Sequence, residues 1–242
     1  MDTSELLQRY AAAERDFAQI DLSGVVLQQA NLVSANLKGA NLSHSDLRES
    51  RFGQSILIAA NLTQANLSET LLWGTDLSEA NLQNAQLREA DLSGAKLIQA
   101  NLQAANLAKA SLCGANLTRA NLQNAILFEA DLRSTSDQRT DLGYADLQFA
   151  DLSYAALSGA ILRGANLTGA KLCRASLEVR GLDKSYITNL SEANLQGADL
   201  SYANLTGANL QKANLKDADL TRTLLTDANL TGATLPDGSV HP

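Results

Sequence analysis

Residues 100–132 read ANLQAANLAKASLCGANLTRANLQNAILFEADL, and a leucine returns at every fifth position, with an alanine two residues before it. An α-helix turns about 100° per residue, so leucines five apart would be spread around the whole cylinder. In a flat strand this odd step would place successive leucines on opposite faces. The pattern therefore predicts a chain that turns one corner per pentapeptide and coils around a core of leucine and alanine.

The signature A-(D/N)-L-x-x, repeated from about residue 20 to 235, resembles that of the pentapeptide-repeat family. The resemblance implies an all-β solenoid, namely a right-handed quadrilateral β-helix with four pentapeptides per coil. We expect a single domain over residues 1–242 with about ten coils. Its expected parts are a helical N-terminal cap (1–19), the β-helix (20–235) and a C-terminal tail (236–242).

The composition restricts the class of function. The chain has 242 residues, a net charge of −7 and a sequence pI near 4.8, which argue against direct binding to nucleic-acid phosphates. The sequence shows neither a signal peptide nor a long apolar segment, so we expect a cytoplasmic protein without membrane contact. A catalytic serine needs a neighbouring base, and the only two histidines, His44 and His241, lie near opposite ends of the expected rod. Neither an enzyme, a metal, a cofactor nor a disulfide is expected.

The two ends of the chain depart from the five-residue period. Residues 4–14 have apolar side chains at helical spacing, and Ser4 could cap such a helix. We expect this helix to cover the first coil, the alternative being a recognition helix. The tail contains both prolines and an Asp-Gly pair, which favour a turn that blunts the last coil. Because no helix closes that end, pairing with a second subunit stays open, but we expect a monomer.

Two interruptions lie within the repeat. Asp137 occupies a leucine position in residues 133–140, and an unpaired buried carboxylate would cost several kcal/mol, so the chain should bulge there. The sequence leaves open whether one side is looped out or only distorted. Residues 178–187 form the second interruption, after which the leucine register shifts by three. Each is expected to be a loop rather than a domain boundary.

Counting in steps of four pentapeptides, one expected coil, reveals a column of charges: Glu49, Glu69, Glu89, Lys109 and Glu129. Interleaved arginines would relieve the repulsion between stacked glutamates, so the column is either a charge-balanced surface or half of a docking face. Towards its C-terminal end the same side gains Phe128 and Phe149. Aromatic and arginine side chains dominate many protein interfaces. We therefore predict a partner-binding surface beside the first loop, made of Phe128, Arg133, Asp137, Arg139, Tyr144, Phe149 and Tyr154.

The family resemblance extends to a cyanobacterial branch that promotes heterocyst differentiation. Segments such as LWGTDL (72–77) and DQRTDLGY (137–144) carry this likeness. It implies a non-enzymatic regulator that contacts a protein partner, either the master transcription regulator of differentiation or the peptide inhibition of that regulator. The alternative is a mimic of B-form DNA that binds DNA gyrase. A mimic should have acidic columns, but the richest column at the position before leucine reads Asp91, Ser111, Asp131, Asp151 and Lys171.

Overall fold

The computed structural model describes residues 2–178 and 186–242, and its repeated unit is a coil of four pentapeptides. Parallel β-bridges join residues that are 20 positions apart, as in Asn41 with Asn61 and Asn61 with Asn81. Each side of a coil contributes one bridging residue, so the sides are short bridges rather than extended strands. We number the sides in chain order by their bridging residues, side 1 to side 4: Asn116, Asn121, Ile126 and Asp131. The number of coils stays a prediction.

The core contains the residue types that the period predicts. The central leucines from Leu22 to Leu215 and the alanines two positions before them are buried wherever the repeat is regular. Phe52 fills one leucine position, and Ser50 and Ser55 fill neighbouring alanine positions. Their buried hydroxyl groups donate hydrogen bonds to the carbonyl oxygens of Leu47 and Leu32, which offsets the cost of burying them. The small serines leave room for the larger ring beside them.

The residue before each leucine explains why the chain turns so regularly. The Oδ1 atom of Asn61 accepts a hydrogen bond from the N–H of Thr63 at 3.1 Å, and the N–H of Ala65 donates to the carbonyl of Leu62 at 3.0 Å. Asn and Asp favour such turns because a short side-chain oxygen can replace a backbone acceptor. The last residue of each pentapeptide then adopts a left-handed conformation, such as Gln64 with φ 56°. These last residues project at the corners of the coil.

The N-terminal cap is a short helix, α1 (Thr3–Ala11). Its N-cap is Asp2 and not the expected Ser4, because the Asp2 carboxylate accepts the N–H of Glu5 at 2.8 Å. Leu6 is fully buried against the first coil. The first bridging residue is Asp16, one pentapeptide earlier than the expected start at residue 20. Phe17 replaces leucine as the first core residue, which is why the leucine pattern alone placed the start too late.

Both expected loops are insertions into the coil, and they lie at the same corner. Asn116 bridges to Asp141, one pentapeptide beyond the regular spacing, so this pentapeptide is looped out and Asp137 is exposed. Ile161 bridges to Asn189, so the second insert is longer than the first. Its described ends are Glu178 and Tyr186, whereas residues 179–185 of the predicted loop lie outside the described residues. Both inserts leave side 4 and return on side 1, with two coils and one regular corner of the same kind, at Gly159, between them.

The C-terminal end is covered on one side only. Gly238, with φ 85°, forms the turn that the Asp-Gly pair predicts, and Val240 then pairs antiparallel with Thr234. Leu220, Leu225 and Leu230 in the last coil are only partly buried. Within the described part of the chain, no helix is long and apolar enough to span a lipid bilayer.

Candidate interaction surfaces

The two inserts contact each other across the regular corner that separates them. The Arg139 guanidinium donates from Nε to the carbonyl of Gly159, which forms this corner, at 2.8 Å and from Nη2 to the carbonyl of Ile187 at 2.6 Å. The hydroxyl group of Tyr186 donates to the carbonyl of Ser136 at 2.6 Å. One arginine therefore ties the first insert to the intervening corner and to the end of the second insert.

These contacts give Arg139 a role within the fold. Its Nε and Nη2 donors bind carbonyl oxygens of the same chain, so these donors are not presented to a partner. Its predicted part in a partner-binding surface stays a prediction. Burial lowers the pKa of its guanidinium because the charged form loses hydration, although Asp141 opposes the change. Arg139 fastens the insert corner, which the sequence could not show because its acceptors lie in distant pentapeptides.

A cavity of about 360 Å³ lies beneath the first insert. Among the residues that line it, Ser134 and Ser158 bury hydroxyl oxygens that have no hydrogen-bond partner in the described structure. Cys113 also lines the cavity, and burial raises the pKa of its thiol. The thiol is therefore kept protonated at neutral pH, which is the less nucleophilic form.

Two further predicted residues lie at the insert corner. The Arg133 guanidinium donates to both carboxylate oxygens of Asp131, at 2.8 and 2.6 Å. Partial burial opposes ionisation of Asp131, but the bonds from Arg133 hold the pKa of this carboxyl below its usual range. Asp137 is exposed and accepts a hydrogen bond from the hydroxyl of Ser136. The charge of Arg133 is thus neutralised locally, whereas Asp137 remains open to solvent.

Three predicted aromatic residues lie on one coil but at different corners. Tyr144, Phe149 and Tyr154 end successive pentapeptides, so they lie a quarter of a coil apart and cannot form one flat surface. The rings of Tyr144 and Phe149 lie over glycines of the next coil: a Cβ on Gly164 would be 2.6 Å from Tyr144, and one on Gly169 would be 2.7 Å from Phe149. The predicted single surface is therefore divided among several corners. Whether any of its members binds a partner stays a prediction.

The first insert explains why Phe149 was assigned to the wrong side. Counting four pentapeptides from Glu129 leads to Phe149, but the inserted pentapeptide moves Phe149 by one corner. The N–H of Glu129 donates instead to the carbonyl of Ser153, which places Tyr154 next to Glu129 at the corner between sides 3 and 4. Phe128 and Tyr154 are brought together as predicted, with ring centroids 5.5 Å apart in an edge-to-face arrangement. The same offset removes Asp151 from the column of Asp131, which continues to Ala156.

The corner between sides 3 and 4 has an acidic first half. We call its corner residues the acidic half: Gln29, Glu49, Glu69, Glu89, Lys109 and Glu129. Cationic groups neutralise part of this half locally, because Arg88 pairs with Glu89 at 2.7 Å and Lys109 with Glu129 at 3.5 Å. The hydrogen bond from Arg88 lowers the pKa of Glu89. The structure thus supports the charge-balanced interpretation of this column.

The second half of the same corner alternates tyrosine with arginine. We call it the Tyr–Arg column: Tyr154, Arg174, Tyr202 and Arg222. The guanidinium carbon of Arg174 lies 5.6 Å from the ring centroid of Tyr154 and 5.4 Å from that of Tyr202. Arg222 lies 5.6 Å from the Tyr202 ring on the next coil. These distances are in the range of cation–π contacts.

Sequence reasoning missed three members of the Tyr–Arg column. The two inserts lengthen the coils that contain them, so a constant step of four pentapeptides does not connect Glu129 with Arg174, Tyr202 and Arg222. The signal that could have found them is the repeat itself. Counting pentapeptides from Leu190, after the register shift, would have placed Tyr202 and Arg222 at equivalent corners.

Comparison with known proteins gives a family match and a full-length structural match. The pentapeptide-repeat profile matches residues 16–54, 55–94, 95–133, 140–178 and 188–227, and so leaves out most of both inserts. The crystal structure of HetL from the cyanobacterium Nostoc sp. strain PCC 7120 is 55% identical, with 100% of each chain covered and a TM-score of 0.83. HetL is a pentapeptide repeat protein involved in the regulation of heterocyst differentiation. A search of curated protein sequences gives no match.

Two further solved structures that match have lower identity to this chain than HetL has. Rfr23 from the cyanobacterium Cyanothece 51142 is 29% identical over 56% of this chain and 97% of its own, with a TM-score of 0.33. QnrB1, a plasmid-mediated fluoroquinolone resistance protein, is 17% identical over 86% of each chain, with a TM-score of 0.37. The repeat profile and the full-length match together show that this chain belongs to the pentapeptide-repeat family, whose fold is the right-handed quadrilateral β-helix.

Proposed function

We propose that this protein is a non-enzymatic regulator of heterocyst differentiation that acts through protein contact. The observation that carries the proposal is the match to HetL, which is 55% identical and covers both chains completely. The similarity extends over the whole length of both chains, and HetL is involved in the regulation of heterocyst differentiation. The proposed partner is the master transcription regulator of differentiation, or the complex in which that regulator is inhibited.

The geometry favours a contact surface over a catalytic site. The residues with unusual surroundings are large side chains held at corners by the core, and aromatic and arginine side chains are the types that dominate protein interfaces. A rigid solenoid also suits such a role, because it presents its side chains without a large loss of entropy on binding.

The test is to raise the amount of this protein in a heterocyst-forming cyanobacterium and to count heterocysts per filament. We expect more heterocysts than in cells that carry the empty vector. The matched control is the Leu107→Lys chain, which lacks a folded core. Equal counts for the wild type and this control would contradict the proposal.

The DNA-mimic alternative finds less support in the structure. A mimic requires uncompensated acidic columns, whereas Arg48 pairs with Asp46, Arg88 with Glu89 and Lys109 with Glu129. The likeness to QnrB1 concerns the fold alone. A gyrase supercoiling assay at low salt separates the two functions, because only a DNA mimic should inhibit the enzyme, and more weakly as salt rises.

A further inference from the structure

The Tyr–Arg column holds an exposed arginine between two aromatic rings. The guanidinium carbon of Arg174 lies over the rings of Tyr154 and Tyr202, 5.6 and 5.4 Å from their centroids. A cation–π contact uses the charge of the guanidinium and leaves its N–H groups available for a second partner. The side chain is exposed, and among the described residues it forms no ion pair with a carboxylate. Arg222 is also exposed, and among the described residues it likewise forms no ion pair with a carboxylate.

The nearby carboxylates are engaged elsewhere. Asp199 accepts the N–H of Ser201 at 2.9 Å, and Asp219 accepts the N–H of Thr221 at 2.8 Å, as the turn at each side requires. These turn contacts hold the two carboxylates on side 3, beside the column. The acidic half differs, because there the neighbouring cations have carboxylate partners at 2.7 and 3.5 Å.

The backbone conformation at these corners is the one found along the whole solenoid. Tyr154 and Tyr202 have φ values of 60° and 59°, and most described corners of this chain carry a residue other than glycine at such values. A left-handed conformation costs an L-residue about 1–2 kcal/mol, whereas glycine adopts it freely. The two tyrosines therefore carry a backbone cost that this chain accepts at most of its corners.

We propose that the Tyr–Arg column is the docking site for an acidic segment of a partner protein. Two carboxylates of the segment bind Arg174 and Arg222, which lie two coils or about 10 Å apart at a coil spacing of about 4.8 Å. Tyr202 lies between the two arginines, and its hydroxyl group is a further donor. The inference rests on the proposed role in protein contact and names the chemistry of that partner. A protein segment fits better than a nucleic acid, because the net charge of −7 repels a chain with one phosphate per nucleotide more strongly than a segment that binds through two carboxylates.

The experiment measures binding of a fluorescent peptide of five Glu-Ser repeats to the full-length protein at low salt. A peptide of five Gln-Ser repeats and a labelled thymidine decanucleotide are the comparison ligands. The test variant combines Arg174→Gln with Arg222→Gln. The matched control combines Arg48→Gln with Arg88→Gln, which removes the same charge from arginines that already have acidic partners. Thermal unfolding of both variants verifies that they fold.

We expect the Glu-Ser peptide to bind the wild type and the control alike, and the test variant to bind about tenfold more weakly or less. The proposal is overturned if the wild type shows no binding or if both double variants bind alike. It is also overturned if the Gln-Ser peptide binds as well as the Glu-Ser peptide or if the oligonucleotide binds more tightly. Because this assay needs no living cell, the docking site and the regulatory function can fail separately.

Discussion

The acidic half and the Tyr–Arg column occupy one corner of the same solenoid, yet they treat charge in opposite ways. Both are supported by a core of the same type, made of buried leucines and alanines, and the corner residues in both have φ near 60°. In the acidic half, Lys109 forms an ion pair with Glu129 of the same chain. In the Tyr–Arg column, Arg174 lies between two rings and forms no ion pair among the described residues, so its charge is available to another molecule.

The difference teaches where selection for function can act in a repeat protein. The core fixes the position of every corner, because its leucines must point inward, but it leaves the corner side chain free to vary. The change from acidic to aromatic residues falls between Glu129 and Tyr154, at the level of the first insert. The two halves can therefore be altered separately on a common scaffold.

The largest effect on stability is expected in the leucine core, which supports both the acidic half and the Tyr–Arg column. Leu107→Lys buries a charge in a fully apolar coil, which costs several kcal/mol and should abolish cooperative folding of the whole rod. Ala104→Lys, at an exposed corner of the same coil, should change the free energy of unfolding by less than about 0.5 kcal/mol. Thermal unfolding followed by circular dichroism measures both. Similar midpoints for the two variants would contradict the inward assignment.

The next effect compares the stability cost of removing Arg139, which donates hydrogen bonds to its own chain, with that of removing Arg174, which the proposal assigns to a partner. Arg139→Ala removes donors from the carbonyls of Gly159 and Ile187, so it should destabilise the protein by about 2 kcal/mol. Arg174→Ala should cost less than about 0.5 kcal/mol, since its contacts are exposed. Chemical denaturation gives both values. A larger loss for Arg174→Ala would mean that the Tyr–Arg column is structural.

A smaller effect tests the conformation of the Tyr–Arg column. Tyr202→Gly and Tyr202→Ala both remove the ring, but glycine fits the φ of 59° without strain. We therefore expect Tyr202→Gly to be the more stable of the two by about 1 kcal/mol. The free energy of unfolding of each variant decides this, and equal values would remove the argument from backbone strain.

The smallest effect concerns pH and the acidic half. Arg88 lowers the pKa of Glu89 in the folded protein, so the carboxylate stabilises the fold above its unfolded pKa of about 4.3. This contribution is lost as the pH falls through the lower folded value. Glu89→Gln should therefore melt slightly below the wild type at pH 7 and equally at about pH 3. The control is Arg174→Gln, whose difference from the wild type should not depend on pH.

Much of this architecture could be predicted because one pattern is repeated many times. The five-residue period placed Leu107 and its equivalents inside, and the carboxylate at Asp137 correctly indicated an interruption. The N-cap was assigned to Ser4 and not to Asp2. Both residue types are suitable N-caps, so only the geometry distinguishes them.

The candidate surface could be predicted only in part, because its parts depend on the length of the inserts. A looped-out pentapeptide keeps the leucine register unchanged, so nothing in the sequence showed that Phe149 had moved by one corner. The role of Arg139 depends on acceptors from distant segments, which a local pattern does not bring together. Phe128 and Tyr154, two members of the predicted surface, do lie together, although their ring contact itself was not predicted.

The central claim is that regulation depends on the Tyr–Arg column and not on the acidic half. The most direct measurement is the number of heterocysts per filament in cells that express equal amounts of three proteins. These are the wild type, the Arg174→Gln and Arg222→Gln double variant, and the Arg48→Gln and Arg88→Gln double variant. We predict that only the first double variant loses the increase caused by the wild type. An increase that survives in this variant, or is lost equally in both, would contradict the claim.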